Sequence, residues 1–345
     1  MKVLKMILSG CVHYAEYVIY VSKCMIIVTG GAGFIGCNII KALNNISHKN
    51  ILVVDNLKNG IKYKNLTNVY ISDYMDKSRF IKNIVDSSVG SYIKNIDVVF
   101  HEGACSSTTE WDGKYMMENN YQYSKDLLLY CIKKNIPFIY ASSASVYGRD
   151  TSILVNSQKY ERPINMYSYS KFLFDQYVRA MLPKVTSQVC GLRYFNVYGP
   201  YEAHKGSMAS IIFQLYRQIK SKKHPTLFVG SKELKRDFIH VEDIVDINLW
   251  VWSNNMSGIF DCGIGKTASF EIIANIVLSF FHKNIAIKYI SMPNKIRDHY
   301  QVFTQANIYQ LREAGYNKKF IDINKGIYRY LKWLSYNDVD RCCMK

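Results

Sequence analysis

The stretch from Met25 to Gly36 reads M-I-I-V-T-G-G-A-G-F-I-G, an apolar run closed by glycines at 30, 33 and 36. Asn38, Ile39, Ile40, Ala42 and Leu43 then continue as an amphipathic segment. A strand, a tight glycine turn and a helix N-terminus are expected here. In such a unit Gly30, Gly33 and Gly36 permit the turn, a close approach to a pyrophosphate and tight packing of helix on strand, while the free N–H groups of the helix face the phosphates. A dinucleotide site follows, and the fold must supply a parallel sheet to carry it.

The rest of the chain is consistent with that demand. Strand-like runs recur at Ile51–Asp55, Asn68–Ser72, Val98–His101, Pro137–Ser142 and Gln188–Arg193, with helical patterns between most of them, notably Trp111–Asn135 and Met166–Leu182. This alternation predicts an α/β fold, a Rossmann-type doubly wound parallel sheet. Asp55 ends the second strand, about 20 residues beyond the glycine turn, where an acid meets the ribose of a bound dinucleotide. After about residue 195 the pattern loosens, and Pro200, Pro225, Gly230, Gly258 and Gly263 separate shorter elements. The expected organisation is an N-terminal extension over 1–24, a dinucleotide domain over 25–195, a smaller C-terminal substrate-binding region over 196–334 and a tail over 335–345. A segment at about 236–248 is expected to return to the main domain, its Arg236–Val245 run entering the main sheet.

Length and composition narrow the function classes. The 345 residues suffice for a large core, and the chain shows neither repeats nor an apolar run of the ~20 residues needed to span a membrane. A soluble protein without a membrane partner is expected. The net charge of +17 would suit a nucleic-acid binder, but the lysines are scattered and no nucleic-acid module accompanies them, so no nucleic-acid partner is expected. An anionic small substrate fits the charge equally well. The nine cysteines form no Cys-x-x-Cys pair and no zinc spacing, which points to reduced thiols in a cytoplasmic protein and to no metal site. Residues 1–24 carry His13 and Glu16 among their apolar positions, so they are expected to be a dispensable extension or the product of an upstream start rather than a targeting peptide.

Tyr167 and Lys171 lie four residues apart at the start of a helical pattern and therefore share a face. A phenol titrates near ~10; an adjacent ammonium and a bound cationic nicotinamide would favour the phenolate, making Tyr167 a base. Lys171 can also hold the cofactor ribose, and Ser143, just after a predicted strand, can hydrogen-bond the reacting hydroxyl. Together they describe a hydride-transfer site.

Through T-G-G-A-G-F-I-G at 29–36, A-S-S-A-S-V-Y-G at 141–148, Y-S-Y-S-K at 167–171 and R-Y-F-N-V-Y-G-P at 193–200, the chain resembles the extended short-chain dehydrogenase/reductase family, whose members mostly act on nucleotide sugars. Longer strings, H-E-G-A-C-S-S-T-T-E-W-D-G-K-Y-M-M at 101–117, E-A-H-K-G-S-M-A-S at 202–210 and Y-Q-V-F-T-Q-A at 300–306, are similar to the ADP-L-glycero-D-manno-heptose 6-epimerases of that family, which finish the activated heptose of the lipopolysaccharide inner core. The similarity runs from Met25 to about Leu334. It implies oxidation at C6 to a transient ketone and hydride return to the opposite face, with cofactor regenerated in each cycle. Inversion needs proton-transfer groups on two sides, and the resemblance assigns these to Tyr167 and Lys205.

The resemblance further implies that Phe34 and Ile35 lie on the pyrophosphate, that Asp55 and Asn56 meet the adenosine ribose, and that Lys62 and Lys77 approach the cofactor. Glu102, Gly103, Ala104, Cys105, Ser106 and Asn119 would line its nicotinamide side, with Val197 above it and Lys205 beside it. Lysines near the ribose favour NADP, whereas Asp55 alone would favour NAD; NADP is the expected cofactor, with NAD possible. Asn196, Ser207, Gln214, Phe228, Val229, Gly230, Ser231, Arg236 and Tyr300 would bind the ADP-heptose, Arg236 through its diphosphate. The family also implies a homo-oligomer, a pentamer. Three positions depart from the pattern: Gln214 replaces His, Tyr201 replaces Arg and Cys37 replaces Ser, the first two at the expense of substrate contacts. Another nucleotide-sugar epimerase or dehydratase, such as a UDP-hexose 4-epimerase, and a non-catalytic NADP-binding module remain the alternative readings.

Overall fold

Strands β1 (Met25–Thr29) and β2 (Ile51–Asp55) are almost unbroken apolar runs because a parallel strand covered on both faces has no solvent side. Their period of two still sorts the side chains: Ile26, Val28, Ile51 and Val53 enter one core, while Ile27, Leu52 and Val54 enter another. A computed structural model describes residues 24–86, 95–149, 158–282, 285–297 and 300–337. The extension over 1–23, most of the 335–345 tail, and Cys11, Cys342 and Cys343 lie outside the described residues. No described helix is long and apolar enough to cross a membrane.

The strands after β2 are β3 (Asp73–Asp76), β4 (Ile96–His101), β5 (Phe138–Ser143), β6 (Val189–Tyr194), β7 (Asn196–Tyr198), β8 (Thr226–Phe228), β9 (Lys235–His240), β10 (Gly258–Cys262), β11 (Thr267–Ser269) and β12 (Lys288–Ile290). Seven of them form the main sheet in the order β10-β6-β5-β4-β1-β2-β3, parallel throughout. This is the doubly wound arrangement expected. The chain reverses its direction of travel between β1 and β4, so a crevice opens beyond their carboxyl ends.

One face of the sheet is covered by the helices Phe34–Asn45 and Val241–Ser253, which contribute Ile39, Ile40, Leu43, Ile244, Ile247 and Val251 to the core. The other is covered by Lys77–Val85, Tyr123–Lys134 and Met166–Met181, through Phe80, Leu127, Leu128, Phe174 and Val178. A third core joins Ile211–Lys220, Phe270–Phe280 and Ile323–Tyr336 to the sheet β11-β9-β7.

Two expectations are corrected. The strand expected at Asn68–Ser72 lies at Asp73–Asp76, where Leu52 pairs with Asp73 and Asp55 with Asp76. This is an edge strand in which only Met75 is buried, so it carries no apolar alternation to reveal it. The run Arg236–Val245 does not enter the main sheet: β9 pairs with β7 and β11, and β10 completes the main sheet instead. The helix after β9 does pack on the main-domain core. Smaller offsets follow from local chemistry: Pro137 has no N–H to give a ladder, and β5 begins at Phe138.

Candidate active site

The glycine turn sits at the sheet's switch point, and its packing explains the glycines. Gly30 has φ +65°, and a Cβ there would stand 2.7 Å from the Gly103 nitrogen. A Cβ on Gly36 would stand 2.4 Å from the Gly30 carbonyl oxygen. Gly33 caps the helix Phe34–Asn45 without a side-chain bond, so the N–H groups of its first turn face the crevice. A smooth backbone cradle at a helix N-terminus fits a pyrophosphate.

Behind the turn runs a buried hydrogen-bond chain. The Thr29 hydroxyl accepts from the Gly103 N–H at 3.2 Å and lies 2.6 Å from His101 Nδ1, while His101 Nε2 lies 2.8 Å from Ser124 Oγ. Burial pulls His101 down to about 3, so the ring is neutral; Ser124 donates to the Asn120 carbonyl, which assigns the proton to Nε2. Asn120 in turn bonds both the N–H and the carbonyl of Cys105, at 2.8 and 2.9 Å, and so fixes the wall after β4. A π-helical stretch, Met117–Gln122, presents Asn120 and Asn119.

A cavity of about 700 Å³ opens in front of these elements. Every residue expected to hold the cofactor lines it: Gly30, Gly33, Phe34, Ile35, Gly36, Asp55, Asn56, Lys62, Lys77, Glu102 to Ser106, Asn119, Lys171, Val197 and Lys205. Ser143 and Tyr167 line it as well. Asp55 accepts from the Ala32 N–H at 3.1 Å, the Asn56 N–H at 2.8 Å and Lys62 Nζ at 2.9 Å, so it ties the second strand to the glycine turn. Lys77 bonds Asn119 across the opening, and burial lowers its ammonium's proton affinity.

Asn165 caps the helix Met166–Met181 in a reciprocal box with Ser168, which sets Tyr167 and Lys171 on the cavity side. Lys171 donates to the Ala141 carbonyl at 2.6 Å, and burial lowers it to about 8 against the pull of Glu102 and Asp175. The Tyr167 phenol hydrogen-bonds Ser143. The protein's own groups leave this phenol above its ordinary value: burial raises it most, Ser143 opposes, and Cys105 and Glu102 add to the rise.

The turn Ala203–Met208, kinked at Gly206 (φ 56°), adds His204, Lys205 and Met208 to the cavity lining. Lys205 Nζ lies 5.3 Å from the centre of the Phe34 ring, and burial lowers its proton affinity against the pull of Glu202. Three asparagines hold this segment against the dinucleotide side. Asn38 donates to the Pro200 carbonyl at 3.1 Å, Asn59 to that of His204 at 3.1 Å and Asn65 to that of Tyr201 at 3.2 Å. Buried Glu202 accepts from the Ser210 hydroxyl at 2.6 Å and holds the far end.

The residues expected to bind substrate do not line this cavity. Phe228, Arg236 and Tyr300 form a cluster of their own: the rings meet edge to face at 6.2 Å, and the buried guanidinium lies 5.2 Å from the Tyr300 ring. That guanidinium donates to the carbonyls of Lys235 and Gln301. Ser231 is buried beside the cluster with its hydroxyl unpartnered among the described residues, and Val229 and Gly230 are exposed. Asn196 is half-buried on β7 and Ser207 is exposed on the kinked turn. Gln214 donates to the Gly206 carbonyl at 2.7 Å, so the departure from His braces the Lys205 turn. Tyr201 (φ 75°) packs on Trp333 at 5.1 Å and meets Lys41 through its hydroxyl at 3.3 Å. Cys37 is buried, its thiol donating to the Phe34 carbonyl.

Sequence reasoning missed the support behind the site. Arg193, fully buried, bonds Asp175 at 2.9 Å, Glu161 at 2.5 Å and the Tyr147 hydroxyl at 2.8 Å. Asp175 also accepts from Tyr140 and Ser142, each at 2.9 Å, so one ionic knot grips the strand that ends in Ser143 and the helix that carries Lys171. The signal was the R-Y-F-N string, read only as part of a resemblance. Asn38, Asn59 and Asn65 had no signal at all.

Comparison with known proteins agrees with this architecture. A UDP-N-acetylglucosamine 4-epimerase from Methanobrevibacter ruminantium M1, solved with UDP-N-acetylmuramic acid, is 25% identical with a TM-score of 0.79, over 91% of this chain and 98% of that one. The Helicobacter pylori ADP-L-glycero-D-manno-heptose-6-epimerase is 28% identical with a TM-score of 0.74, over 90% of this chain and 96% of that one. The UDP-glucose 4-epimerase of Thermotoga maritima, 23% identical over 90% of this chain and 99% of that one, shares the fold with a TM-score of 0.76. The sequence model of the NAD dependent epimerase/dehydratase family matches residues 26–263, which span the glycine turn, Tyr167, Lys171 and Lys205, and the chain belongs to that family.

Proposed function

We propose that the protein inverts C6 of ADP-D-glycero-D-manno-heptose to give ADP-L-glycero-D-manno-heptose, for the inner core of lipopolysaccharide. The observation that carries this reading is Lys205. It lines the same cavity as Tyr167 from a separate element, the turn Ala203–Met208, with burial lowering its hold on a proton. Two proton-transfer groups supplied by two separate elements suit inversion, because one group reaches only one of the two hydroxyl orientations. The 28% identity to the Helicobacter pylori enzyme supports the same substrate class.

The chain's residues divide the work. A nicotinamide dinucleotide in the cradle supplies hydride acceptance and return. The glycine turn and the helix N-terminus after it hold the pyrophosphate, and Lys171 holds the ribose. Tyr167, hydrogen-bonded to Ser143, takes and returns the hydroxyl proton on one face, and Lys205 does so on the other. NADP is the cofactor we assign: Lys62 neutralises Asp55 beside the ribose and leaves Lys77 near, a setting that favours an added phosphate. The region over 25–195 would serve the cofactor and that over 196–334 mainly the sugar nucleotide, with the Phe228, Arg236 and Tyr300 cluster at the ADP end. The compartment we assign is the cytoplasm.

The test is incubation of the protein with ADP-D-glycero-D-manno-heptose and no added oxidant, with C6 followed by proton NMR. An equilibrium mixture with the L-glycero isomer is expected. Turnover of UDP-glucose or UDP-N-acetylglucosamine instead would move the reaction to C4. No conversion of any of the three by folded, dinucleotide-loaded protein would leave a binding module.

A further inference from the structure

The turn Ala144–Tyr147 opens directly after Ser143 and closes on Gly148, whose φ is +66° and where a Cβ would stand 1.9 Å from the Arg162 carbonyl oxygen. Ser143 Oγ accepts from the Ser145 N–H at 3.1 Å, so the lie of this turn sets the serine hydroxyl that meets Tyr167. One side chain from far along the chain holds both ends of the turn. Gln301 Nε2 donates to the Gly148 carbonyl at 2.8 Å and to the Ala144 carbonyl at 3.3 Å. An amide nitrogen carries two hydrogens, and the two carbonyls take both. Gln301 is half-buried and stands outside the cavity lining, so its influence on the site runs through the turn.

The main chain of the same residue belongs to the cluster of Phe228, Arg236 and Tyr300. The Gln301 carbonyl accepts from the Arg236 guanidinium, which lies 5.2 Å from the ring of Tyr300, the preceding residue. Main-chain bonds fasten this segment to β9: the Lys235 N–H donates to the Val302 carbonyl at 3.0 Å, and the Thr304 N–H donates to the Lys235 carbonyl at 3.1 Å. Cluster and amide therefore sit on one braced segment. A further tie, from Arg149 to the Arg297 carbonyl at 2.5 Å, is exposed and lies beyond the turn.

We propose that Gln301 is a positioning residue that sets the two ends of the substrate site in register: its carbonyl is fixed to the arginine that grips the diphosphate, and its amide holds the turn that orients Ser143. The proposal rests on reading Arg236 and Tyr300 as the diphosphate end and Ser143 as the partner of the reacting hydroxyl. Binding energy from a remote part of a substrate raises kcat only when it is used to orient the reacting centre. Gln301 joins the two places within one residue. A misplacement of about 1 Å at the reacting atoms costs on the order of 10²-fold in rate.

The experiment is Gln301→Met, which keeps the length of the side chain and removes both donors, in the full chain saturated with NADP⁺. The Kd of ADP, read by calorimetry, is expected to stay within about twofold of the wild type, while kcat on ADP-D-glycero-D-manno-heptose falls by about 10–100-fold. In a Ser143→Ala background the same substitution should cost less than about twofold, because a residue that acts through Ser143 then has nothing left to position. A wild-type kcat in Gln301→Met, an ADP affinity that falls in step with kcat, or losses that multiply with Ser143→Ala each overturn the proposal. If Gln301→Met does not fold, Gln301→Asn decides: its amide stops one carbon short of the two carbonyls, and an unchanged kcat overturns the proposal. A wild type that neither binds ADP nor converts the heptose overturns the functional reading itself, and the same comparison with UDP and UDP-glucose then decides the role of Gln301.

Discussion

Replacing Arg193 with methionine keeps much of its volume and removes the guanidinium that joins Glu161, Asp175 and Tyr147 behind the site. In the native protein its side chain and those of Glu161 and Asp175 are 0% exposed, at 2.5 and 2.9 Å. Its Nη1 bonds Tyr147, whose hydroxyl donates to Asp261 at 2.7 Å. The variant leaves three carboxylates facing one another, with Arg179 on Glu161 from a partly exposed position. Removing one partner of a buried ion pair costs about 3–5 kcal/mol. Against a total of roughly 5–15 kcal/mol that is a large fraction. Urea unfolding followed by circular dichroism should show a lower midpoint at an unchanged slope.

The loss must also depend on pH. Burial raises Asp261 from 3.8 to about 6 while Arg193 pulls it down. A carboxyl whose folded-state value exceeds its unfolded one is a liability at high pH and is relieved as the folded state takes up its proton. Without Arg193 that uptake starts above pH 6, so the gap between variant and wild type should narrow from pH 8 to pH 5. A gap under about 1 kcal/mol, or one that stays constant over that range, would refute the assignment of the knot as a charge-balanced support.

Three further outcomes test the site. Lys205→Ala and Tyr167→Phe should each lower turnover by about 10²–10⁴-fold, with the circular dichroism spectrum unchanged; full turnover removes that residue from the mechanism. Gly30→Ala, whose Cβ would stand 2.7 Å from the Gly103 nitrogen in a left-handed backbone, should abolish dinucleotide binding measured by fluorescence. Lys62→Ala, which frees Asp55 from its 2.9 Å partner, should shift the ratio of NADP to NAD affinities toward NAD by about 10-fold or more, the worth of a charged hydrogen bond; an unmoved ratio refutes NADP selection at this position.

What could be read from the chain was what repeats a local rule. The glycine turn, the buried apolar strands and the four-residue spacing of Tyr167 and Lys171 each follow from backbone geometry, and all stand at the crevice. What could not be read depends on partners distant in sequence. β3 carries one buried side chain, so its position is set by pairing with β2 and not by its own pattern. β9 reads as a main-sheet strand by composition, yet its neighbours β7 and β11 claim it. Glu102 was legible as a lining residue, but its bond from the Tyr194 hydroxyl, and Asn248 behind that hydroxyl, come from elements 92 and 146 residues on. Burial, which spacing does not reveal, is the largest influence of the protein on the Tyr167 phenol.

The three asparagine bonds to the segment before and around Lys205 end on main-chain carbonyls at positions 200, 201 and 204. A carbonyl is common to all twenty residue types. These three bonds are therefore indifferent to the side chains at 200, 201 and 205, whereas the His204 ring, 3.2 Å from the same Asn65, and the Tyr201 ring on Trp333 tie the segment through side chains. The main-chain part of this mount stays when position 205 changes, so the chemistry at that one position can be exchanged, by mutation or by design, without rebuilding the dinucleotide half.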